Sequence, residues 1–75
     1  MEDALAVLVQ ALVRAPEAVR IERHDEQRRV LLLVTVAPDD MGRVIGRQGR
    51  IAKALRTVMR AVGERENRQV VVEFK

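Results

Sequence analysis

Apolar residues recur at helical spacing in two stretches of the chain. In residues 2–14 they fall three or four positions apart and make one stripe, formed by Leu5, Leu8, Val9 and Leu12. Residues from about 50 to 64 repeat the pattern with Ile51, Leu55, Val58, Met59 and Val62. Both stretches are predicted to be amphipathic helices. Pro16 ends the first helix, because proline cannot continue the helical hydrogen bonding, and Val7 lies on the face of that helix opposite the stripe.

The remaining apolar residues predict three strands. A weak strand over residues 18–24 alternates apolar and charged positions, and a polar turn follows it at 25–27. Residues 28–37 are apolar on both faces, which is typical of a central strand or of one whose outer face meets a partner. Residues 69–74 form the last strand. We expect the first two strands to pair as a hairpin, and the third to run parallel to the second after a right-handed helical crossover.

A turn with a glycine at each end joins the long helix to a shorter predicted helix, which runs from Asp39 or Asp40 to Ile45. Asp39 is expected to cap the shorter helix with its side-chain oxygen. Gly46 and Gly49 have no Cβ, so they can adopt backbone angles that other residues avoid and can let another backbone come close. The turn leads into the N-terminus of the long helix, where unpaired N–H groups favour an anion. Because arginines lie within and beside it, the turn is predicted to hold a phosphodiester backbone.

Composition narrows the functional classes. The 75 residues make one small domain, 48% of them hydrophobic, with no cysteine to form a disulfide or a thiolate site. No apolar run is long enough to span a membrane, and the acidic Glu2 and Asp3 argue against a secretory leader, so we expect a cytoplasmic location. The net charge is +3, and twelve of the fourteen basic residues are arginine, which binds phosphate through two parallel hydrogen bonds.

The sequence contains no recognisable catalytic or metal-binding arrangement. The single histidine, His24, lies in the weak strand, and neither a cysteine nor a second histidine is present to join it in a nucleophilic or metal site. We therefore expect neither an enzyme nor a cofactor. Phe74 is the only aromatic residue, so we do not expect the stacking platforms that several RNA-binding modules use.

Residues 44–49, Val-Ile-Gly-Arg-Gln-Gly, resemble the GXXG loop of a K-homology (KH) domain, with its apolar pair before the first glycine. The predicted order α-β-β-α-α-β is similar to the type II arrangement of that domain. This resemblance implies an α+β fold with a three-stranded mixed sheet and helices packed on one face, as a single domain over residues 1–75. The closest family resemblance is to the small single-KH bacterial RNA-binding proteins, the KhpA family.

The resemblance implies a function and a site. The family implies binding to single-stranded RNA, as an RNA chaperone or post-transcriptional regulator. It also implies a homodimer, a heterodimer with a larger KH-containing RNA-binding protein, or both. The RNA is expected in a groove between the loop with its two helices and the sheet edge, assigned to the strand over 31–36. The expected RNA-binding residues are Arg43, Val44, Ile45, Gly46, Arg47, Gln48, Gly49, Arg50 and Lys53.

Each of these residues has an expected role. The two glycines permit close approach of the RNA backbone, and Arg47 and Gln48 reach its phosphates, with Arg43 and Arg50 on either side. The apolar pair before the first glycine supplies a floor for the bases, and Lys53 is a further phosphate contact. Arg60, farther along the long helix, is assigned to a solvated face.

Two other functional classes remain open from the sequence. A DNA-binding helix-turn-helix would use the long helix to read bases, but the apolar stripe and the simple basic face of that helix do not favour it. A protein-interaction module would keep the GXXG turn without an RNA ligand. Arg47 and Gln48, in place of acidic residues, argue against this second class.

Overall fold

A computed structural model describes all residues of the chain, Met1–Lys75. It contains three α-helices and three strands in the predicted order. The helices are α1 (Glu2–Leu12), α2 (Met41–Ile45) and α3 (Arg50–Arg65). The strands are β1 (Arg20–Asp25), β2 (Arg29–Thr35) and β3 (Gln69–Phe74). The predicted limits of β3 are confirmed to the residue, whereas the other elements differ from their predicted limits by one or two residues at an end.

The strands form one mixed sheet in the order β1-β2-β3. β1 pairs with β2 as an antiparallel hairpin, from Arg20 opposite Thr35 to Asp25 opposite Val30. β2 pairs with β3 in parallel, and the chain between them passes through α2 and α3. Both predicted pairings are confirmed, and so is the central position of β2. The prediction that this strand supplies the sheet edge of the RNA groove is wrong, because neighbours cover β2 on both sides and only β1 and β3 have free edges.

The helices cover one face of the sheet. On that face, Val30, Leu32 and Val34 of β2 have no solvent exposure. They pack in one cluster with completely buried residues of α1 and α3, namely Leu5, Val9 and Met59. The helical stripes therefore form the core, as their spacing predicts. Val58 departs from the prediction. It is 47% exposed because it lies on the edge of the α3 stripe and outside the core.

Asp40 connects α1 to the start of α2. A 3₁₀ turn, Pro38–Asp40, precedes α2, and no side chain caps that helix, so the predicted capping role of Asp39 is wrong. Asp40 is instead buried, and its carboxylate accepts the N–H groups of Arg14 (3.1 Å) and Ala15 (3.0 Å) just after α1. These hydrogen bonds, the one from Arg14 above all, hold the pKa of Asp40 below its usual value, against the opposing effect of burial.

Gly63 allows α3 and β3 to pack closely. The sequence places it where it weakens the helix end, but α3 continues through it to Arg65 and buries it. A Cβ at this position would lie 2.5 Å from the carbonyl oxygen of Arg68 and 2.6 Å from a methyl group of Val70. The absent side chain therefore sets the distance between the helix and the edge strand.

Candidate nucleic-acid interface

The turn between α2 and α3 has the backbone conformation for which its glycines are suited. Gly46 has φ +76° and Gly49 has φ +73°, a region that glycine enters without steric cost. A Cβ on Gly46 would lie 2.7 Å from Cγ1 of Ile51, whereas one on Gly49 would meet nothing within 4 Å. Backbone conformation and packing therefore both require glycine at position 46, whereas only backbone conformation favours glycine at position 49. Gln48 also has a positive φ, +56°, which brings the turn round tightly.

The residues before the turn hold it on the core. Val44 is completely buried, so its expected role as part of an apolar floor for bases is wrong: it faces inward from α2 and supports the turn from beneath. Ile45 is half-buried and keeps some exposed surface. The N–H of Gly46 donates to the carbonyl of Gly42 at 2.9 Å, and that of Gly49 donates to the carbonyl of Gly46 at 3.2 Å.

Of the five polar residues expected to contact RNA, four are exposed to solvent and one makes contacts within the protein. Arg47 and Gln48 are exposed at the tip of the turn, and Arg50 makes a long hydrogen bond, 3.4 Å, to Oε1 of Gln48. Lys53 is exposed one turn farther along α3. No side chain caps the N-terminus of α3, and the N–H of Arg50 donates to the carbonyl oxygen of Arg47, so it is the helix dipole that favours an anion there. Arg43 is the residue that makes contacts within the protein.

Arg43 is directed toward the start of α2. Its Nη1 donates to the carbonyl oxygen of Asp39 at 3.2 Å and lies 3.5 Å from Oδ1 of Asp40. These contacts direct part of its guanidinium away from the turn. Contact of Arg43 with an RNA phosphate would therefore compete with its contacts to Asp39 and Asp40.

A groove of about 630 Å³ lies between α3 and the free edge of β3. Its polar wall carries four arginines, Arg28, Arg56, Arg60 and Arg68. None of them is among the residues expected from the sequence, and the assignment of Arg60 to a solvated face misses its place here. Arg56 and Arg60 are four residues apart, which does predict a shared helix face. What the sequence could not show is that the edge of β3 lies beside that face.

The free edge of β3 offers backbone groups to this groove. Gln69 and Lys75 donate their N–H groups toward β2, to Arg28 and Val34. Backbone groups alternate in direction along a strand, so Val70, Val72 and Phe74 direct their N–H and C=O groups outward, whereas Val71 and Glu73 face β2. One of these groups is already used. Nε of Arg56 donates to the carbonyl oxygen of Val72 at 3.2 Å, and its guanidinium lies over the ring of Phe74, 5.7 Å from the centroid.

Acidic partners neutralise some of the cations and leave others free. Arg23 pairs with Glu2 and Asp25, and Arg68 pairs with Asp25 at 2.9 Å. Nine arginine and lysine side chains have no acidic partner. Seven of them lie on the turn, on α3 or at the groove, namely Arg28, Arg47, Arg50, Lys53, Arg56, Arg60 and Arg65, and the other two are Arg14 and Arg20. A free cation keeps its full attraction for phosphate, so most of the uncompensated positive charge lies on α3 or beside it.

An apolar cleft of about 390 Å³ lies on the other side of α3, against α1. It is lined by Leu8, Leu12, Ile51, Ala54 and Val58, together with neighbouring apolar atoms and Arg50. Val7, on the outer face of α1, is 65% exposed. These residues form the exposed apolar surface of the helical layer.

No three acidic or histidine side chains come close enough to hold a metal ion. None of the helices has both the length and the apolar character that crossing a membrane requires.

Comparisons with known proteins place the chain in a family. The family model of the KhpA/KhpB KH domain matches residues 2–74. The RNA-binding protein KhpA of Clostridium acetobutylicum is 45% identical over 74 residues, which cover 99% of each chain. KhpA of Streptomyces coelicolor is 45% identical over 73 residues (97% of this chain, 92% of the relative), and KhpA of Listeria monocytogenes is 41% identical over 74 (99% and 97%). No solved structure matched. The chain belongs to the KhpA/KhpB KH-domain family.

Proposed function

We propose that this protein binds single-stranded RNA along α3, with the RNA backbone held at the GXXG turn and the bases directed into the groove beside β3. The observation that carries the proposal is the line of unpaired cations from Arg47 to Arg60, which begins at an uncapped helix N-terminus. From Arg50 to Arg60 the helix rises about 15 Å. That length suits a loop and groove that engage about four nucleotides. The relatives named as RNA-binding proteins support the same ligand.

The position of α3 disfavours the helix-turn-helix alternative. A recognition helix enters a major groove about 12 Å wide and must be exposed on the sides that face the bases. Here β3 flanks α3 on one side and α1 flanks it on the other. A duplex cannot approach both sides of the helix, whereas a single strand can lie in the groove along one of them.

We assign the biological role to an RNA chaperone or post-transcriptional regulator acting in the cytoplasm, where its RNA ligands are. A short groove without aromatic stacking gives modest affinity for any one RNA. Modest affinity suits a protein that contacts many transcripts briefly. Linking two such grooves raises the affinity through effective concentration.

We also propose that a second copy of this chain covers the apolar cleft between α1 and α3, and that a larger KH-containing protein can take its place. The support is the exposed apolar surface of Leu8 and Val58 on facing helices, with little polar lining between them. The cleft is lined by eight residues, few compared with the roughly 20–30 residues a side of a stable interface. The dimer should therefore be weak and concentration-dependent, which light scattering over a range of protein concentrations measures.

The test of RNA binding is the double variant Arg47→Asp/Gln48→Asp. Both side chains are exposed at the tip of the turn, so the free energy of unfolding should remain within about 0.5 kcal/mol of the wild-type value. The two carboxylates repel phosphate and compete for the N–H groups of α3, so RNA binding should be abolished. RNA titration and a circular dichroism melt measure the two effects. Wild-type affinity in the folded variant would refute the proposal.

The wild-type protein should also show salt-sensitive RNA binding. With three or four phosphates neutralised, log affinity falls against log salt with a slope of roughly −2 to −3. The control variant is Gly46→Asp, in which the new Cβ meets Ile51 at a position with φ +76°. That change should impair both folding and binding, unlike the double variant.

A further inference from the structure

The side chain of Arg56 is held in place before any ligand arrives. Its Nε donates to the carbonyl oxygen of Val72 at 3.2 Å, and its guanidinium lies over the Phe74 ring, 5.7 Å from the centroid. An arginine that must become ordered on binding loses rotamer entropy. Arg56 is already fixed by two contacts to β3, so binding through its free atoms costs less of that entropy.

The terminal nitrogens of Arg56 remain free. They make no hydrogen bond, and no carboxylate pairs with this guanidinium. Arg68, on the same groove, differs: Nη1 pairs with Asp25 at 2.9 Å and Nη2 donates to the carbonyl oxygen of Glu26 at 2.9 Å. With Nε of Arg56 engaged, Nη1 and Nη2 present two parallel N–H donors along one edge of the planar group.

The four bases differ in how well their edges match such a donor pair. Two adjacent donors match a base edge with two adjacent acceptors. Guanine has such an edge at O6 and N7, and cytosine has one at O2 and N3. Adenine places an amino donor beside N7, and uracil places an N–H donor beside each of its oxygens, so one donor of Arg56 would face another donor.

We propose that Arg56 is a specificity-determining residue, which makes the groove prefer guanine or cytosine to adenine and uracil at one nucleotide position. The inference rests on the proposed binding of single-stranded RNA in this groove. It adds a base-reading function to a residue whose charge alone would attract any RNA. The β3 edge and Phe74 act as its support, because they fix the plane of the guanidinium.

The experiment measures the affinity of the full chain for eight-nucleotide RNAs. The reference is all uridine, and the others carry a single G, C or A at each central position in turn. Wild type should bind the best G-containing or C-containing RNA roughly 5- to 150-fold more tightly than the reference, the discrimination typical of a bidentate arginine–base contact. The A-containing RNAs should bind like the reference. The G and C arms show which of the two bases is read.

Arg56→Lys keeps the charge and loses the planar donor pair. It should lose the base preference, while its affinity for the all-uridine RNA falls much less than its affinity for the preferred RNA. Arg60→Lys, one turn along the same groove, should keep the preference. Phe74→Leu keeps an apolar side chain and removes the ring, so it should weaken the preference while the salt slope stays unchanged. Circular dichroism checks that each variant is folded.

Three results would overturn the proposal. Salt-sensitive wild-type binding with no base preference would refute the role of Arg56 and leave RNA binding intact. A preference that persists in Arg56→Lys would place the reading group elsewhere in the chain. An absence of RNA binding by wild type at low salt would refute the proposed function, and the role of Arg56 with it.

Discussion

The two sides of α3 differ in chemistry although they belong to one helix. Toward β3, Arg56 and Arg60 line a groove with backbone groups on its opposite wall. Toward α1, Ala54 and Val58 line an apolar cleft. The second pair precedes the first by two residues, a rotation of about 200° around the helix axis. One helix can thus present a charged surface to a solvated polyanion and an apolar surface to a protein, with its buried stripe between them.

A different residue determines the packing on each side of α3, and we call these two residues the anchors. On the groove side, Gly63 lets α3 lie close against β3. On the cleft side, Asp40 holds the chain just after α1 through the N–H groups of Arg14 and Ala15. Neither residue lines its cavity. The shape of each cavity nevertheless depends on its anchor, so changes at the anchors should affect the two sides separately.

The largest effect is expected from Gly63→Ala. Its new Cβ would overlap the Arg68 carbonyl and the Val70 side chain, so β3 must move away from α3. Overpacking of this kind costs about 1–3 kcal/mol, which lowers Tm by about 4–8 °C per kcal/mol in a domain of this size. RNA affinity should fall as the groove changes width.

The matched control for that change is Gly42→Ala. Gly42 lies in α2, and a Cβ there meets nothing within 4 Å. The same chemical change should leave Tm unchanged or raise it slightly, because alanine favours helix. A Gly63→Ala protein as stable as this control would show that α3 does not depend on close contact with β3.

Asp40→Asn should weaken the attachment of the chain just after α1 to the start of α2. The amide keeps one acceptor and loses the second and the charge, so Tm should fall by roughly 5–15 °C at pH 7. The pKa of Asp40 is lowered in the folded state, so its stabilisation is present above the ordinary pKa of 3.8 and is lost as pH falls through the lower folded value. The difference in Tm between wild type and variant should therefore be constant above about pH 5 and shrink below pH 4. A difference that grows in acid would contradict this role.

Val58→Glu should break self-association and leave RNA binding by each protomer unchanged. The side chain is 47% exposed, so the charge costs the monomer little. In a dimer it would be buried in the apolar cleft, which should weaken association at least about tenfold. Analytical ultracentrifugation and titration with one short RNA measure the two properties. A matched Arg65→Glu change, on the same helix but away from the cleft, should leave association unaltered.

Arg60→Gln should produce the smallest effect, confined to the groove side. One phosphate contact contributes about 0.7 to the salt slope on a single strand. Its loss should weaken RNA affinity roughly three- to fivefold near 0.1 M salt and reduce the slope by that amount, with association unchanged. Equal losses in both properties would mean that the two sides of α3 are not independent.

Prediction from the sequence succeeded where periodicity is strong. The apolar stripes of α1 and α3 and the alternation in β3 are local patterns, and each led to an element in the right place. It failed for Asp39 and Asp40, because adjacent aspartates look alike as caps and only the folded chain brings the end of α1 to one of them. It failed likewise for Val44, because the apolar pair before the turn has one inward-facing and one partly exposed member.

The sequence by itself determined the elements, their order, the GXXG turn and the family, because these depend on neighbours within a few positions along the chain. The tertiary structure decided which strand borders the groove. It also decided which arginines are free and which face of α3 meets α1. These depend on contacts between residues far apart in sequence. In the sequence, nothing distinguishes Arg56 from the other arginines of α3. In the folded chain β3 lies beside it, and the Val72 carbonyl and the Phe74 ring hold its guanidinium.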